Sequence, residues 1–596
     1  MPHLLVIGGP SIDKLHCNHQ TAISAGGAGL YTALAAARSG CQVSMFSPKP
    51  RQIPDLFEPL ERRLEAWLGP RVALEDMPHF EIAHDGDQAN YLEFFVGEEA
   101  RLDPAGLPQD LSIYNGVHIT AIGDVQLQLE FANACRARNA PMISVGSFLA
   151  LIEEKPELIR LLLERSDVVF LNEAEAVRVY GGLDRVITEA GKQMFITRGR
   201  AGALVVQGDF QTALPAVPAK VLDPTGAGDT FCGAALSHLL QGVHPIMAAR
   251  KAMALASAEI EHVGPTALLF DHAAPDIPLD GRVRIDESQV ERIAQVIQRI
   301  PEAEPFNFVS DYYPPVGHPA ALDFFFVQTL QQFSFWEVQS GRYGYPLVAT
   351  IDGHACKGST YLSYAYMRML DKDPAFFTPE RQARTTTAEM LALFQADDGS
   401  DPMPAFALHL EKAQAYGRDL ISMGLTSQSI IDQAKQSTKP LMTFLSILDH
   451  IGGYKEDPFR KKTNLLAMIL KERPERFLSL SDDEAIQPVI DYHVMRFCLR
   501  TGLVEILDFD LRQKIGDRRH VSVDDEWIIR YACYMAIQRL IQVSGLSMGA
   551  VDHVAFNYNR VHCPEMTEPI CERCALDPAC AHRKDLFQPV IRTTFY

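Results

Sequence analysis

Along the first 270 residues, short apolar runs alternate with stretches in which apolar positions recur at helical spacing. The runs Leu4-Leu5-Val6-Ile7, Val117-His118-Ile119, Met142-Ile143-Ser144-Val145, Val168-Val169-Phe170-Leu171 and Met194-Phe195-Ile196-Thr197 read as buried strands. Strands alternating with amphipathic helices predict an α/β domain over residues 1–270, with a mostly parallel sheet flanked by helices. Between about Pro265 and Pro305 the pattern breaks into Pro, Asp and short polar runs around one predicted helix, Glu287 to Arg299, so residues 271–305 read as a linker. From about Phe306 the strand signal fades. Lys461 to Arg473, Ile490 to Leu503 and Asp525 to Ser544 carry helical spacing of apolar residues, which predicts a mostly α domain over 306–596.

Composition fits two domains. The 596 residues exceed what one core serves, and 47% hydrophobic content supplies apolar material for two or three. With 55 Lys plus Arg against 75 Asp plus Glu, the formal net charge is -20, which disfavours nucleic acid as a partner. No basic start leads into an apolar signal segment, and no apolar run approaches the roughly 20 residues of a membrane span, so a cytoplasmic protein is expected. Of eleven cysteines, seven are scattered and four crowd into the last 34 residues, a distribution that suits reduced thiols and one metal or cluster site.

The richest chemistry in the first half lies in Asp223-Pro224-Thr225-Gly226-Ala227-Gly228-Asp229. Gly226, Ala227 and Gly228 precede a helix predicted from near Thr230 through Leu239, and small residues there let backbone N–H groups meet a phosphate at a positive helix end. A carboxylate directly after them, Asp229, can take the proton of an attacking hydroxyl. A lone Gly-x-Gly turn capped by Asp would mean little, but it is not alone. Gly8-Gly9-Pro10-Ser11-Ile12-Asp13, Ala25-Gly26-Gly27-Ala28-Gly29, Asn172-Glu173-Ala174-Glu175 and Thr197-Arg198-Gly199 follow in order along the chain.

In that order and spacing, residues 1–270 resemble the PfkB or ribokinase family. The resemblance implies ATP and Mg2+ as cofactors, Asp229 as catalytic base, and Gly226 to Gly228 as the anion hole. It also implies that Asp13, Gly26 and Gly27 hold a sugar-like substrate, that Asn172 and Glu175 help place magnesium and phosphate, and that Thr197 and Gly199 lie near the nucleotide. Tyr31 stands where ribokinases carry Asn, and Ser144-Val145-Gly146-Ser147 lacks the Asp-x-Asn-x-Arg pattern, so the substrate is left open.

In the second half, Cys563, Cys571, Cys574 and Cys580 follow C-x7-C-x2-C-x5-C in a loop punctuated by Pro. Four thiolates so close suit a [4Fe–4S] cluster or a structural zinc, and spacing alone does not choose. The segment Pro488 to Gly502 resembles the stretch bearing the catalytic Asp of endonuclease III-type glycosylases, with Asp491 aligned to it, and a four-cysteine loop of nearly this spacing holds a [4Fe–4S] cluster in that superfamily. A carboxylate can stabilise an oxocarbenium-like sugar and activate water, although Asp491 can also simply cap a helix. No Leu-Pro-Gly-Val-Gly-type hairpin precedes it and Pro474 to Glu484 is acidic, which argues against DNA.

Residues 306–596 also resemble the queuosine salvage proteins of the same superfamily, which release a 7-deazaguanine base from a nucleoside 5′-monophosphate. The matching pieces are Thr329 to Trp336, Phe459-Arg460-Lys461-Lys462, Ile490-Asp491-Tyr492-His493 and Pro589 to Tyr596. Gln331-Gln332 replaces Leu-Asn, Thr329 replaces Asp, and the four-cysteine loop is not general there. Phe333, Phe335 and Trp336 could stack on a purine-like base, and Arg460, Lys461 and Lys462 could hold a 5′-phosphate. Together the halves imply phosphorylation of a modified nucleoside followed by N-glycosidic hydrolysis to a queuine-like base. A sugar kinase with a non-catalytic iron–sulfur module, or a fused DNA glycosylase, are the alternatives. Expected partners are small nucleosides or sugars, and a homodimer is left open.

Overall fold

In the computed structural model seven strands of the first unit run parallel in one sheet, with helices in the connections between them. The structure describes residues 1–17, 20–85 and 88–596. The chain divides into two units, Met1–Pro278 and Leu279–Tyr596.

The first unit is built on a nine-stranded sheet. From one edge to the other the order is Phe210–Leu214, Ala203–Gln207, Gln193–Thr197, Val168–Asn172, Ile143–Gly146, Gly116–Ile119, His3–Ile7, Gln42–Phe46 and Ala66–Leu68. All pairings are parallel except those joining the first three, which are antiparallel. Helices cover both faces, so strand residues are buried on alternate sides. Leu4 and Val6 join one core with the helices Ala28–Arg38, Ala227–Leu240 and Pro245–Glu259, while Leu5 and Ile7 join another with Val125–Ala137 and Pro156–Arg165. The predicted α/β layering is thus observed.

A second, four-stranded sheet was not foreseen in the apolar pattern. Its order is Gln20–Gly26, Ser11–Cys17, His79–Asp85, Gln88–Phe95. With water on one side, its strands alternate rather than run apolar, and their signal is weak.

The second unit is mostly helical, around a core in which Phe324, Phe325, Phe326, Tyr366, Phe377 and Phe444 are fully or nearly fully enclosed. Helices Lys461–Glu472, Tyr492–Thr501 and Val523–Ser544 fall where periodicity predicts them. Two hairpins add strand content, Trp336–Gln339 with Arg342–Pro346 and Val348–Ile351 with His354–Lys357. The segment 271–305 is not a linker throughout: Val283–Ile285 pairs antiparallel with Val504–Ile506, and helix Glu287–Ile297 buries Val290, Ile293, Ala294 and Ile297. Its polar composition reflects an amphipathic helix with one face in water, not a tether. No helix among the described residues is long and apolar enough to cross a membrane.

Candidate functional site

In the first unit, Gly226 takes a left-handed conformation (φ 77°) and caps helix Ala227–Leu240, which therefore starts three residues before the apolar periodicity places it. A Cβ on Gly226 would lie 2.5 Å from the Tyr31 ring, whereas one on Gly228 would meet open space. The helix has no side-chain cap, leaving first-turn N–H groups to face an anion. Asp229 sits in that first turn, and desolvation pushes its carboxyl up to about 6. These features fit a phosphate with a carboxylate beside it.

The other expected residues gather around this helix end. Asn172 closes the strand Val168–Asn172 and forms a capping box with Glu175: its Oδ1 accepts from Glu175 N (2.9 Å), while its N and Nδ2 donate to the Glu175 carboxylate (both 2.7 Å). Burial, reinforced by the charge of Asp229, pushes Glu175 up to about 7. Thr197 lies beside Asn172 in the sheet, and Gly199 opens the following turn at φ 52°. Asp13, buried in strand Ser11–Cys17, accepts from Ser11 Oγ (2.5 Å), and burial pushes it up to about 7. A Cβ on Gly26 would fall 1.8 Å from Asp13 Oδ2, and one on Gly27 (φ 95°) 2.6 Å from Gly9 O, so both glycines are required by close approach.

Four further groups, to which the sequence assigned no role, stand near these residues. Tyr31 is buried among carboxylates: burial, then Glu259, Asp223, Asp13 and Asp229, drive its phenol well up. Asp223 accepts from Thr225 N (3.0 Å) and Gly264 N (2.8 Å), while Glu99 accepts from Gly9 N (2.6 Å) and is pushed by burial to about 7. Phe94, 71% exposed, shares the Asp13 face of the small sheet through the register Asp13, Phe80, Phe94.

In the second unit, a cavity of about 340 Å³ brings together Asp491, Phe335, Lys461 and Asp552. Asp491 caps helix Tyr492–Thr501, its Oδ1 accepting from His493 N (2.8 Å) and Val494 N (3.0 Å). The cap that sequence weighs against catalysis is real, yet it employs one oxygen of a side chain that also lines the cavity. Lys461 donates from Nζ to Gln332 O (3.2 Å); burial lowers its ammonium, and Asp491, Asp552 and Asp457 oppose that. Asp552 closes helix Met548–Asp552, directly before the π-helix His553–Tyr558. Burial, and then the charge of Asp491, push Asp552 up to about 8. Phe306, Phe308, Tyr312, Tyr313 and Phe556 supply further aromatic walls.

Not every expected residue reaches this cavity. Trp336 is 2% exposed, stacked on Tyr343 (5.1 Å between centroids) and edge-on to Phe587 (5.5 Å), so it serves a small core cluster and does not face the cavity. Phe333 stacks on His409 at 4.2 Å. Arg460 is bound to Asp449, and Lys462 donates to Leu330 O (3.1 Å) above the Phe333 ring, leaving Lys461 as the member of that trio that lines the cavity. Strand and helix register turns neighbours in sequence to opposite sides, which proximity in sequence does not reveal.

Cys563, Cys571, Cys574 and Cys580 line one smaller cavity with Arg500 and His582. Burial raises the Cys574 and Cys580 thiols, the latter to about 11, and the other three cysteines add to the shift at Cys580. Two N–H donors point at sulfur: Arg500 Nη1 to Cys563 (3.3 Å) and His582 N to Cys580 (3.4 Å). Such a set fits a cluster or soft metal ion, which thiolates bind and N–H groups stabilise. Cys571, Asp577 and His582 also place ligand atoms within 4.8 Å of one another, a mixed set that a metal ion could use.

A family model described as pfkB family carbohydrate kinase matches residues 108–271. A cytidine kinase from Thermococcus kodakarensis is 27% identical over 252 residues, covering 41% of this chain and 90% of that protein. A nucleoside kinase from Methanocaldococcus jannaschii is 28% identical over 176 residues, covering 28% of this chain and 55% of its own length. Among solved structures, Burkholderia thailandensis nucleoside kinase in complex with inosine aligns with 46% of this chain and 94% of its own, at 20% identity and a TM-score of 0.38. The Gly226–Asp229 helix end and its flanking Asn172 and Glu175 lie within the matched residues, so the first unit carries a region similar to the pfkB family carbohydrate kinases.

Proposed function

We propose that the chain phosphorylates the 5′-hydroxyl of a modified nucleoside and then hydrolyses the N-glycosidic bond of the resulting 5′-monophosphate, releasing a queuine-like base. The observation that carries the second step is the aromatic cavity holding Asp491 beside Lys461. Its flat walls suit a heterocycle, and its carboxylate suits a sugar that gains positive charge as the bond breaks.

In the first step Asp229 takes the hydroxyl proton, and the N–H groups opening the helix at Gly226 to Gly228 hold the transferring phosphoryl group. Asn172 and Glu175 would hold Mg2+ with the phosphates, and the ion would neutralise charge there. Thr197 and Gly199 border the nucleotide. Asp13, Gly26 and Gly27 position the ribose, and Phe94 on the Asp13 face offers a stacking surface for the base. The names of the relatives, a cytidine kinase and a nucleoside kinase, support a nucleoside over a free sugar.

Cys563, Cys571, Cys574 and Cys580 would hold a [4Fe–4S] cluster, with zinc as the competing occupant. The bound centre would tie the loop together. Arg500, which grips Cys563 and Pro564, belongs to the helix that Asp491 caps, so the loop and the cavity share a support.

Purified protein incubated with candidate nucleosides should release base only when ATP is present, or when the 5′-monophosphate is supplied. Mass spectrometry of both products reads the result. Equal release from the unphosphorylated nucleoside without ATP overturns the coupling, and a phosphorylated nucleoside that accumulates with no base formed overturns the glycosidase.

A further inference from the structure

We propose that Asp552 is the general acid of the second unit, delivering a proton to the departing base while Asp491 takes the proton of the attacking water. This rests on the glycosidase reading and adds to it a second catalytic residue and a division of labour.

The geometry assigns different duties to the two carboxyls. Asp491 is pinned through Oδ1 by two backbone N–H donors at a helix start, where a negative charge is favoured. Asp552 ends a helix, next to a π-helical turn, and lines the same cavity. A π-helical turn inserts one residue and re-aims the side chains around it, which is why such turns gather at working sites. Lys461 acts on both carboxyls. Two carboxyls sharing a cavity do not both ionise readily, and burial with the neighbouring Asp491 pushes the Asp552 carboxyl up to about 8.

The other groups facing the cavity leave that assignment intact. His553 is tied through Nδ1 to Glu304 O (2.7 Å), and Arg560 lies over the Phe556 ring. Burial raises the phenols of Tyr313, Tyr492 and Tyr596, so they stay protonated, and Tyr312 adds a fourth phenol.

The step balances. As the bond from C1′ to the ring nitrogen breaks, its electron pair leaves on nitrogen, which takes the proton of Asp552. A water oxygen bonds to C1′ and gives a proton to Asp491. Transfer of one proton through solvent from Asp491 to Asp552 restores the resting state, and the net change is hydrolysis to base and ribose 5-phosphate. The logic matches that of paired carboxyls at other glycosidic bonds, where the leaving group is protonated on one side and water activated on the other.

The test compares two leaving groups in the full-length protein: 7-deazaguanosine 5′-monophosphate, whose base needs a proton, and p-nitrophenyl β-D-ribofuranoside 5-phosphate, whose phenolate does not. Asp552→Asn should slow the first substrate by about 100-fold or more and abolish its loss of rate above about pH 8, while leaving the second within about threefold of wild type. Asp491→Asn should lose both. Retained cleavage of the second substrate shows that the Asp552→Asn protein is folded. Equal loss on both substrates, or an unchanged rate and pH profile on the first, overturns the assignment while the glycosidase reading stands. No base release by wild type from the first substrate overturns both.

Discussion

Asp229 combines two properties that a phosphoryl-transfer base requires: placement in the first turn of an uncapped helix, and a carboxyl pushed up to about 6 by desolvation. Only the ionised form accepts a proton, so kinase kcat/KM should rise with pH through about 6 and level off above it, as initial rates across a buffer series would show. Asp229→Asn should lower that rate by about 10² to 10⁴-fold and leave base release from a supplied 5′-monophosphate unchanged. The placement of such residues was legible because they stand in contiguous motifs: Asp229 follows its glycines directly, and Asn172 stands three positions from its capping partner Glu175. Asp552 was not legible. Its neighbours Val551, His553 and Val554 form no motif, and its meaning depends on Asp491 and Lys461, brought to it by two distant helices. Trp336 shows the reverse error, since an aromatic adjacent to a cavity residue in sequence points to the core in space.

At the scale of elements, the opening of helix Ala227–Leu240 packs closely on helix Ala28–Arg38, with Gly226 against the Tyr31 ring. Gly226→Ala would place a methyl group into that ring at a left-handed position, a strain of about 1–3 kcal/mol before any shift of the loop. Kinase activity should fall by at least about tenfold and the melting temperature of the first unit should drop, both measurable on the intact protein. Apolar periodicity placed the body of this helix but not its start, because a glycine cap carries no periodicity. The central strands were legible as apolar runs, being covered on both faces. The four-stranded sheet and the hairpins of the second unit were not, since strands open to water on one face are short and mixed in character.

For the molecule as a whole, two units with separate cores imply two separable responses to ligands. A nucleotide that binds the folded first unit should raise its melting transition, by about 2.7 kcal/mol of stability at a hundredfold excess over Kd, whereas stripping metal from the cysteine loop should lower only the transition of the second. Calorimetry with ATP and with chelator, alongside iron, sulfide and zinc analysis of the protein, checks both; a nucleotide that shifts both transitions equally contradicts the expectation. The division into an α/β half and a helical half was legible, but its position was not, because the strand Val283–Ile285 is too short to signal itself and finds its partner 221 residues later. That pairing also sets a clock. At about 5–20 residues per second of synthesis, roughly 10–45 seconds pass between the appearance of Arg284 and that of Glu505 opposite it. The kinase fold can be complete while the opening strand of its successor is still waiting on the ribosome, so chaperone demand during translation should concentrate on the second half of the chain.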